Sequence, residues 1–245
     1  MTVAGRRAGI TRADRTLVER LVGTYRENQP VVEGLLNQIK NAVHLSSSLM
    51  RSVHSTKGRM KDPEHLRDKL ERKILEARAL DRKFSITEKN LLYRVNDLAG
   101  FRILHLHTQQ MAEIDTELRK IFVEYRLPLL EKPKARTWDD ESRDFFRSIN
   151  IQCVKSPRMY TSVHYVVESY SRTRATCEIQ VRTLAEELWG EVDHTMNYPK
   201  ESESHACREQ IKVLARVTSS CSRLVDSIFR TAGKTMALPT AKRRK

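Results

Sequence analysis

Three polar side chains alternate along one short apolar segment, CEIQVRT, which runs from Cys177 to Thr183. Side chains of a β-strand point to opposite faces in turn, so Glu178, Gln180 and Arg182 would share one face. A carboxylate, an amide and a guanidinium suit a site that handles a metal ion and phosphates. The alternative is an edge strand with one solvated face, which implies no chemistry.

A second group of charged residues surrounds a predicted helix N-terminus. The segment GRMKDP, residues 58–63, supplies Arg59 and Lys61, and Lys69 follows about two turns into the helix. Asp62 is the expected N-cap. Free backbone N–H groups at a helix start bind anions, and arginine and lysine add charge-assisted hydrogen bonds. The segment therefore predicts an anion site, or alternatively a basic solvated turn.

Two further motifs combine charged and aromatic residues. The segment DLAGFR begins with Asp97 and ends with Arg102, and the segment YTSVH is expected to place Tyr160, Ser162 and His164 on one face of a strand. A carboxylate is a ligand that Mg²⁺ prefers, and an arginine just after a glycine can stack on a base or grip a phosphate. A tyrosine ring can stack on a second base beside a phosphate-binding histidine. The alternatives are an Asp–Arg pair that fixes a turn and a purely structural histidine.

The order of these motifs, GRxKxP, DxxGxR, YxSxH and ExQxRT followed by Trp189 and His194, resembles the synthetase domain of the RelA/SpoT family. Members of that family transfer the β,γ-pyrophosphate of ATP to the 3′-hydroxyl of a guanine nucleotide and so make (p)ppGpp. The resemblance covers roughly residues 45–200. It implies a small, single-domain pyrophosphokinase of the GTP diphosphokinase type.

The resemblance also implies roles for individual residues. The implied ATP site contains two arginines that sandwich adenine and two lysines on the phosphates: Arg59, Arg102, Lys61 and Lys69. The implied catalytic residues are two carboxylates that also ligate Mg²⁺: Asp97 and Glu178. The implied acceptor site contains Tyr160, His164, Gln180 and Arg158. Glu178 would act as general base toward the acceptor 3′-hydroxyl, whereas Trp189 and His194 would brace the helix behind the strand.

The acceptor side departs from the family pattern. The family usually reads KPxGYRSxH, but this chain reads SPRMYTSVH, with Ser156, Met159 and Thr161 at the lysine, glycine and arginine positions. Arg158 could replace the lost charge, and Glu187 stands where relatives commonly carry Asn or Asp. The alternative function is therefore a toxin-type member that pyrophosphorylates the tRNA 3′-CCA end or an adenine nucleotide, with a cognate antitoxin. A non-catalytic binding module is disfavoured because both carboxylates are present.

Composition is typical of a protein that binds polyanions. The 45 Lys and Arg residues exceed the 31 Asp and Glu residues, for a net charge of +14, part of it in Arg6, Arg7 and the terminal KRRK. Such an excess attracts nucleotides, RNA or an acidic partner. Nine basic residues are candidate contacts to a tRNA backbone: Lys57, Arg72, Lys73, Arg78, Arg82, Lys83, Lys132, Lys134 and Arg136.

The sequence also predicts a cytoplasmic protein. It lacks an apolar run long enough for a membrane span, and its N-terminus lacks the apolar region of a secretory signal. The four cysteines form no CxxC pair, which is typical of reduced thiols rather than of a disulfide framework.

The periodicities predict an α+β fold, with a small mixed β-sheet flanked by helices and helical extensions at both ends. With the resemblance, this is the nucleotidyltransferase-like synthetase fold. The expected parts are an N-terminal helical extension (1–44), the synthetase domain (45–200), and a C-terminal helix with a basic tail (201–245).

Individual elements follow from the same patterns. Helices are expected over 12–54 and again from Asp62, with Gly58 as a break between them, and a strand is expected over Phe101–His107. VHYVVESY and ATCEIQV read as an antiparallel hairpin. Residues 127–158 read as a long loop with one short strand near Ile149 to Val154. A last helix ends near Gly233, and its apolar residues either pack on their own domain or form a homo-oligomer.

Overall fold

The computed structural model describes residues 9–197 and 202–237, with side chains up to residue 232 in the last helix. Its helices are α1 (Arg12–Glu27), α2 (Gln29–Leu45), α3 (Ser47–Met50), α4 (Pro63–Ala79), α5 (Leu91–Arg94), α6 (Met111–Glu124), α7 (Asp140–Ser148), α8 (Leu184–Asn197) and α9 (His205–Ala237). Its strands are β1 (Ser55–Met60), β2 (Ala99–His105), β3 (Lys134–Thr137), β4 (Gln152–Lys155), β5 (Ser162–Glu168) and β6 (Thr176–Thr183). The predicted basic tails, with Arg6, Arg7 and KRRK, lie outside the described residues.

The strands form one six-stranded mixed sheet in the order β1-β2-β6-β5-β3-β4. The pairs β2–β6 and β3–β4 are parallel and the other pairs are antiparallel. β5 and β6 are the predicted hairpin. β6 has a hydrogen-bonded strand on each side, so the alternative that CEIQVRT is an edge strand is wrong. The α+β prediction is confirmed.

Alternation along the inner strands separates a core face from a polar face. Phe101 of β2, Tyr165 of β5 and Ile179 of β6 are fully buried in one core with apolar residues of α1, α2, α4 and α6. Each such side chain contributes roughly 1.5–3 kcal/mol by leaving water. The intervening positions point to the opposite face, which is where Glu178 and Gln180 lie.

The α4 helix begins as the sequence predicts. The Asp62 carboxylate accepts hydrogen bonds from the backbone N–H groups of Glu64 and His65, and Pro63 occupies the first helical position. The predicted apolar stripe, formed by Leu66, Leu70 and Ile74, is buried.

Residues 127–158 are more regular than the sequence predicts. The predicted long loop is wrong, because the segment folds as β3, α7 and β4, whereas the short strand predicted near Ile149 to Val154 is present as β4. Asp139 caps α7 through the Ser142 N–H, and Phe146 packs into the main core. The four-residue strand β3 and the nine-residue helix α7 are too short for a periodicity to be visible in the sequence.

The sequence also misses β1, which was expected to be a break at Gly58. Its segment STKGRM is polar, and its pairing with β2 in the register Gly58↔Phe101 makes it a strand. A side chain at Gly58 would meet Leu36 of α2 at about 3.5 Å. β2 begins at Ala99 rather than Phe101, and α9 continues past Gly233 to Ala237.

α9 has one packed face and one exposed apolar stripe. Ile211 and Ala215 pack with Trp189 of α8 in a second, smaller core. Val217, Leu224 and Ile228 are each more than half exposed, together with Val213. The homo-oligomer that the sequence analysis allows through this helix stays a prediction. None of the described helices is long and apolar enough to span a membrane.

Glu186 is a buried acidic side chain that lines a small cavity between the sheet and α9. Burial raises its pKa from 4.5 to about 8, although the positive charge of Arg182 opposes the shift. The carboxylate of Asp139 raises this pKa further. The carboxyl group is therefore neutral over much of the neutral pH range.

We expect Glu186→Gln to stabilise the protein at alkaline pH. Because folding raises this pKa, the carboxyl favours the folded state fully below pH 4.5, and that contribution is lost as the pH rises to about 8. A glutamine does not ionise, so the variant should gain up to about 5 kcal/mol in unfolding free energy relative to wild type across this window. Denaturant unfolding at a pH below and a pH above the window measures the gain. Glu203→Gln, at an exposed position, is the control; an equal pH dependence in Glu186→Gln and wild type would contradict the prediction.

Candidate active site

The polar face of the sheet forms the floor of a cleft of about 470 Å³, which α8 and the turn before β5 border. Seven of the ten residues predicted for the site line it: Arg59, Arg102, Arg158, Tyr160, His164, Glu178 and Gln180. The other three, Lys61, Lys69 and Asp97, form a cluster beside it. The charge of Asp97 interacts with that of Glu178, and the charge of Arg59 interacts with that of Lys61, so the cluster lies within electrostatic range of the cleft.

Asp97 lies just before β2 and is bound by two lysines. One carboxylate oxygen lies 3.0 Å from Lys61 Nζ, and the other lies 2.5 Å from Lys69 Nζ. Burial favours the neutral acid, but the two ammonium groups outweigh it and lower the Asp97 pKa to about 2. Burial also lowers the pKa of Lys61. The carboxylate is therefore charged at neutral pH.

Glu178 lies in the adjacent strand, paired with Gly100 of β2. Its carboxylate accepts hydrogen bonds at 2.9 Å from His164 Nδ1 and from Gln180 Nε2. Burial would raise the Glu178 pKa, but these contacts outweigh it and the net pKa is lowered. The group is thus an ionised carboxylate, held in one orientation, on the cleft floor.

Arg59 and Arg102 reach the cleft from β1 and β2. Arg59 is opposite Gly100, and a side chain at Gly100 would come within 3.4 Å of Arg59 Nε. Arg59 therefore extends across β2 next to Gly100, at van der Waals distance from the position of a β-carbon. Arg102 Nη1 lies 2.9 Å from Glu187 and also pairs with Glu191, both on α8.

Tyr160 is expected on the same strand as His164, but it lies just before β5. Its ring is half-buried, 5.6 Å from the Arg182 guanidinium and 6.1 Å from the Trp189 ring. Its hydroxyl donates to Gln180 Oε1 at 3.4 Å. Burial raises the pKa of this hydroxyl, so it remains a neutral donor.

The turn before Tyr160 has the conformation that a glycine would favour. Met159 has φ 59°, in the left-handed region. Its side chain packs against the small core formed around Trp189 and Ile211, which offsets part of the backbone cost. The other two residues that depart from the family pattern make hydrogen bonds of their own. Ser156 Oγ accepts from the Tyr160 N–H, and the Thr161 hydroxyl lies 3.1 Å from that of Thr137.

Two positively charged residues that line the cleft are not among the site residues predicted from the sequence. Arg136 of β3 and Lys155 of β4 line it together with Arg158. Arg136 was predicted only as a tRNA contact. Its pairing with Ser162 of β5 places it on the polar face, and that pairing is visible only once β3 is known to be a strand.

Trp189 and His194 have different environments. The buried Trp189 donates from Nε1 to the Ile211 carbonyl at 3.1 Å and so joins α8 to α9. Both side chains line the cleft, but Trp189 is buried and His194 is exposed. The contact of Trp189 agrees with its predicted bracing position, and that of His194 stays a prediction.

Known proteins resemble this chain in sequence and in fold. Residues 58–203 match the family described as a region found in RelA / SpoT proteins. The chain belongs to the RelA/SpoT family. Among curated proteins, none matches the chain.

Solved structures similar to this RelA/SpoT-family chain share its fold. Small alarmone synthetase 1 from Bacillus subtilis bound to its product pppGpp is 21% identical, with a TM-score of 0.57 over 89% of this chain and 98% of that one. The same enzyme bound to AMPCPP is 18% identical, with a TM-score of 0.52 over 90% and 99% of the two chains. A GTP pyrophosphokinase family protein from Streptococcus pneumoniae is 16% identical, with a TM-score of 0.56 over 89% and 95%.

The donor set of this RelA/SpoT-family cleft fits a magnesium ion held partly by substrate. Among the described residues, no group of three or more His, Cys, Asp or Glu side chains is arranged to hold a metal. Mg²⁺ usually takes one or two carboxylates and completes its octahedron with phosphates and waters. Asp97 and Glu178 supply two carboxylates. The buried Nε2 of His164 has no hydrogen-bond partner within the described part of the chain, so it is available for a hydrogen bond with a ligand in the cleft.

Proposed function

We propose that this chain is an ATP-dependent 3′-pyrophosphokinase whose acceptor is a guanine nucleotide, GDP or GTP. The observation that carries the proposal is a pair of ionised carboxylates: Glu178 lies in the cleft that Arg59, Arg102 and Tyr160 also line, and Asp97 lies beside that cleft, bound by Lys61 and Lys69. Relatives of the same fold crystallised with AMPCPP and with pppGpp support nucleotides as the ligands.

The proposed reaction is an in-line displacement at the β-phosphorus of ATP. The acceptor 3′-oxygen forms a bond to that phosphorus, the bond to the oxygen bridging the α- and β-phosphates breaks, and AMP leaves. The proton of the 3′-hydroxyl passes to Glu178, or to water positioned by it. Mg²⁺, when bound, neutralises phosphate charge. The protein itself mainly orients the reactants.

The ATP side is proposed from four cations. The faces of the Arg59 and Arg102 guanidinium groups would enclose the adenine. An arginine can stack its guanidinium plane on an aromatic ring while the N–H groups at the edge of that plane form hydrogen bonds with other side chains. Lys61 and Lys69 would contact the phosphates. Both lysines bind Asp97, so phosphate binding would share or exchange these contacts.

The acceptor side is proposed from Tyr160 and the cations around it. The tyrosine ring would stack on the base, next to His164 and Gln180. Arg136, Lys155 and Arg158 line the same part of the cleft. They would hold acceptor phosphates in place of the family's lysine and arginine, which are Ser156 and Thr161 here.

A second candidate function is the toxin-type reaction, in which the acceptor is the 3′-CCA end of tRNA or an adenine nucleotide. The observation that favours it is the altered turn at Ser156, Met159 and Thr161, since Ser156, Arg158 and Tyr160 of this segment line the cleft on the proposed acceptor side. The net charge of +14 would also attract a polynucleotide. A toxin-type member would be expected to have a cognate antitoxin.

An acceptor screen separates these functions. Purified protein would be incubated with γ-labelled ATP and Mg²⁺ and offered GDP, GTP, GMP, ADP or deacylated tRNA, and the products would be separated. We expect label on GDP or GTP. Label on tRNA or ADP alone would favour the second function, and absence of transfer to every acceptor would reject both.

We expect Arg59→Ala to weaken ATP binding on the order of tenfold, because a desolvated cation–π contact contributes up to about 2 kcal/mol. Acceptor affinity should change little. Titration with AMPCPP and with acceptor measures both effects. Arg174→Ala is a matched control, since Arg174 lies over the Tyr93 ring at 5.0 Å and does not line the cleft. An unchanged AMPCPP affinity in Arg59→Ala would remove this residue from the adenine site.

A further inference from the structure

One carboxylate of α8 contacts an arginine on each side of the cleft. Glu187 Oε1 lies 2.9 Å from Nη1 of Arg102, and Oε2 pairs with Nη2 of Arg182. The Glu187 side chain is 14% exposed and that of Arg182 only 3%. The contact with Arg102 is a hydrogen bond, whereas the contact with Arg182 is an ion pair without hydrogen-bond geometry. Both contacts are largely shielded from solvent, so the charge of Glu187 holds the two guanidinium groups in place.

The second arginine belongs to the acceptor side. The Arg182 guanidinium lies over the Tyr160 ring at 5.6 Å. It reaches this position because residue 190 of α8 is glycine: a β-carbon at Gly190 would lie 2.6 Å from Arg182 Nη1. Glu187 thus connects, through two arginines, the proposed adenine clamp with the tyrosine proposed to stack on the acceptor base.

Glu191, one turn further along α8, offers an internal comparison. Its carboxylate pairs with the same Arg102, but no contact with Arg182 is found for it in the described residues. Its side chain is also 48% exposed, so its contact is more screened. Two carboxylates therefore bind one arginine, and only one of them continues to the acceptor side.

We propose that Glu187 is a positioning residue that couples donor and acceptor binding. The proposal rests on the proposed function, since it assigns Arg102 to ATP and Tyr160 to the acceptor. A nucleotide that orders Arg102 would also order Glu187, and Glu187 orders Arg182 above Tyr160. The second substrate would then bind a site that is already ordered. Its binding would lose less conformational entropy and would therefore be tighter. The effect is reciprocal.

The test measures coupling in wild type, Glu187→Gln and Glu191→Gln. AMPCPP affinity is titrated calorimetrically without acceptor and with saturating GDP, or with ADP or deacylated tRNA if the screen labels one of those instead. In wild type we expect the acceptor to tighten AMPCPP binding roughly fivefold or more. Glu187→Gln should bring this ratio close to one and raise KM for both substrates. Glu191→Gln should weaken AMPCPP binding while keeping the ratio.

Gly190→Ala gives a second test in which the carboxylates are intact. The added methyl group displaces the Arg182 guanidinium, and alanine is the better helix former, so thermal unfolding should show a folded protein. KM for the acceptor should rise several-fold, and saturating acceptor should no longer tighten AMPCPP binding, whereas AMPCPP affinity without acceptor should stay nearly unchanged. An acceptor KM and a coupling ratio equal to those of wild type would contradict the proposal.

Three other results would overturn the proposal: no coupling in wild type, a coupling ratio in Glu187→Gln equal to that of wild type, or equal loss of coupling in Glu187→Gln and Glu191→Gln. Failure of the proposed function is distinguishable, because it would appear as wild type that neither binds AMPCPP nor transfers label to any acceptor. That outcome would overturn the coupling proposal as well.

Discussion

Replacing Glu178 with glutamine is expected to reduce pyrophosphate transfer by about 10²- to 10⁴-fold, the usual contribution of a positioned general base. The carboxylate is ionised and oriented by His164 and Gln180. An amide of the same shape can neither accept the proton of the 3′-hydroxyl nor contribute charge to a metal ion. Single-turnover assays with labelled ATP measure the loss, and AMPCPP titration should show nearly unchanged donor binding.

Glu168→Gln is the matched control for this prediction. Glu168 is another sheet carboxylate, but it pairs with Arg174 and lies outside the cleft lining. Its substitution should leave transfer within about twofold of wild type, since pairs of this partly exposed kind contribute at most about 1 kcal/mol. Wild-type turnover in Glu178→Gln would refute its role. A carboxylate that shares a metal ion is a weak base, so a loss near the lower end of the range would point to a mainly metal-binding role.

Replacing Asp97 with asparagine is expected to abolish transfer and also to destabilise the protein. Loss of the carboxylate leaves Lys61 and Lys69 close to each other without their shared counter-charge. The pKa of about 2, lowered from 3.8, corresponds to roughly 2 kcal/mol of folding free energy. Because the folded pKa is lowered, this contribution is present above pH 3.8 and is lost as the pH falls to about 2. Urea unfolding near neutral pH measures the loss.

A double variant separates the structural and catalytic effects of Asp97. In Asp97→Asn with Lys69→Met, the repulsion between the lysines is removed, so much of the stability should return. Activity should not return, because the proposed metal ligand and a phosphate contact are both absent. If the double variant recovers transfer together with stability, Asp97 has a purely structural role.

Local patterns in the sequence predict much of the polar face. Alternation in CEIQVRT places Glu178 and Gln180 together, because the period of a strand is a local property of the backbone. The N-cap Asp62 and the α4 stripe are local in the same sense. By contrast, β1 and β3 are short and polar or half-exposed, and only their partners make them strands. The sequence predicts the strand β4 but not its place beside β3. The positions of Arg136 and Lys155 in the cleft therefore could not be predicted.

The sequence by itself determined the RelA/SpoT family, the α+β class and the residue types of the candidate site. It also located the altered turn at Met159. Only the tertiary structure decided how these residues combine: Asp97 binds lysines 28 and 36 residues away, and Arg102 binds Glu187 from 85 residues away. Such contacts depend on which strands are neighbours and on where α8 crosses the sheet. Those arrangements are decided by burial of the whole core, so no short segment of sequence encodes them.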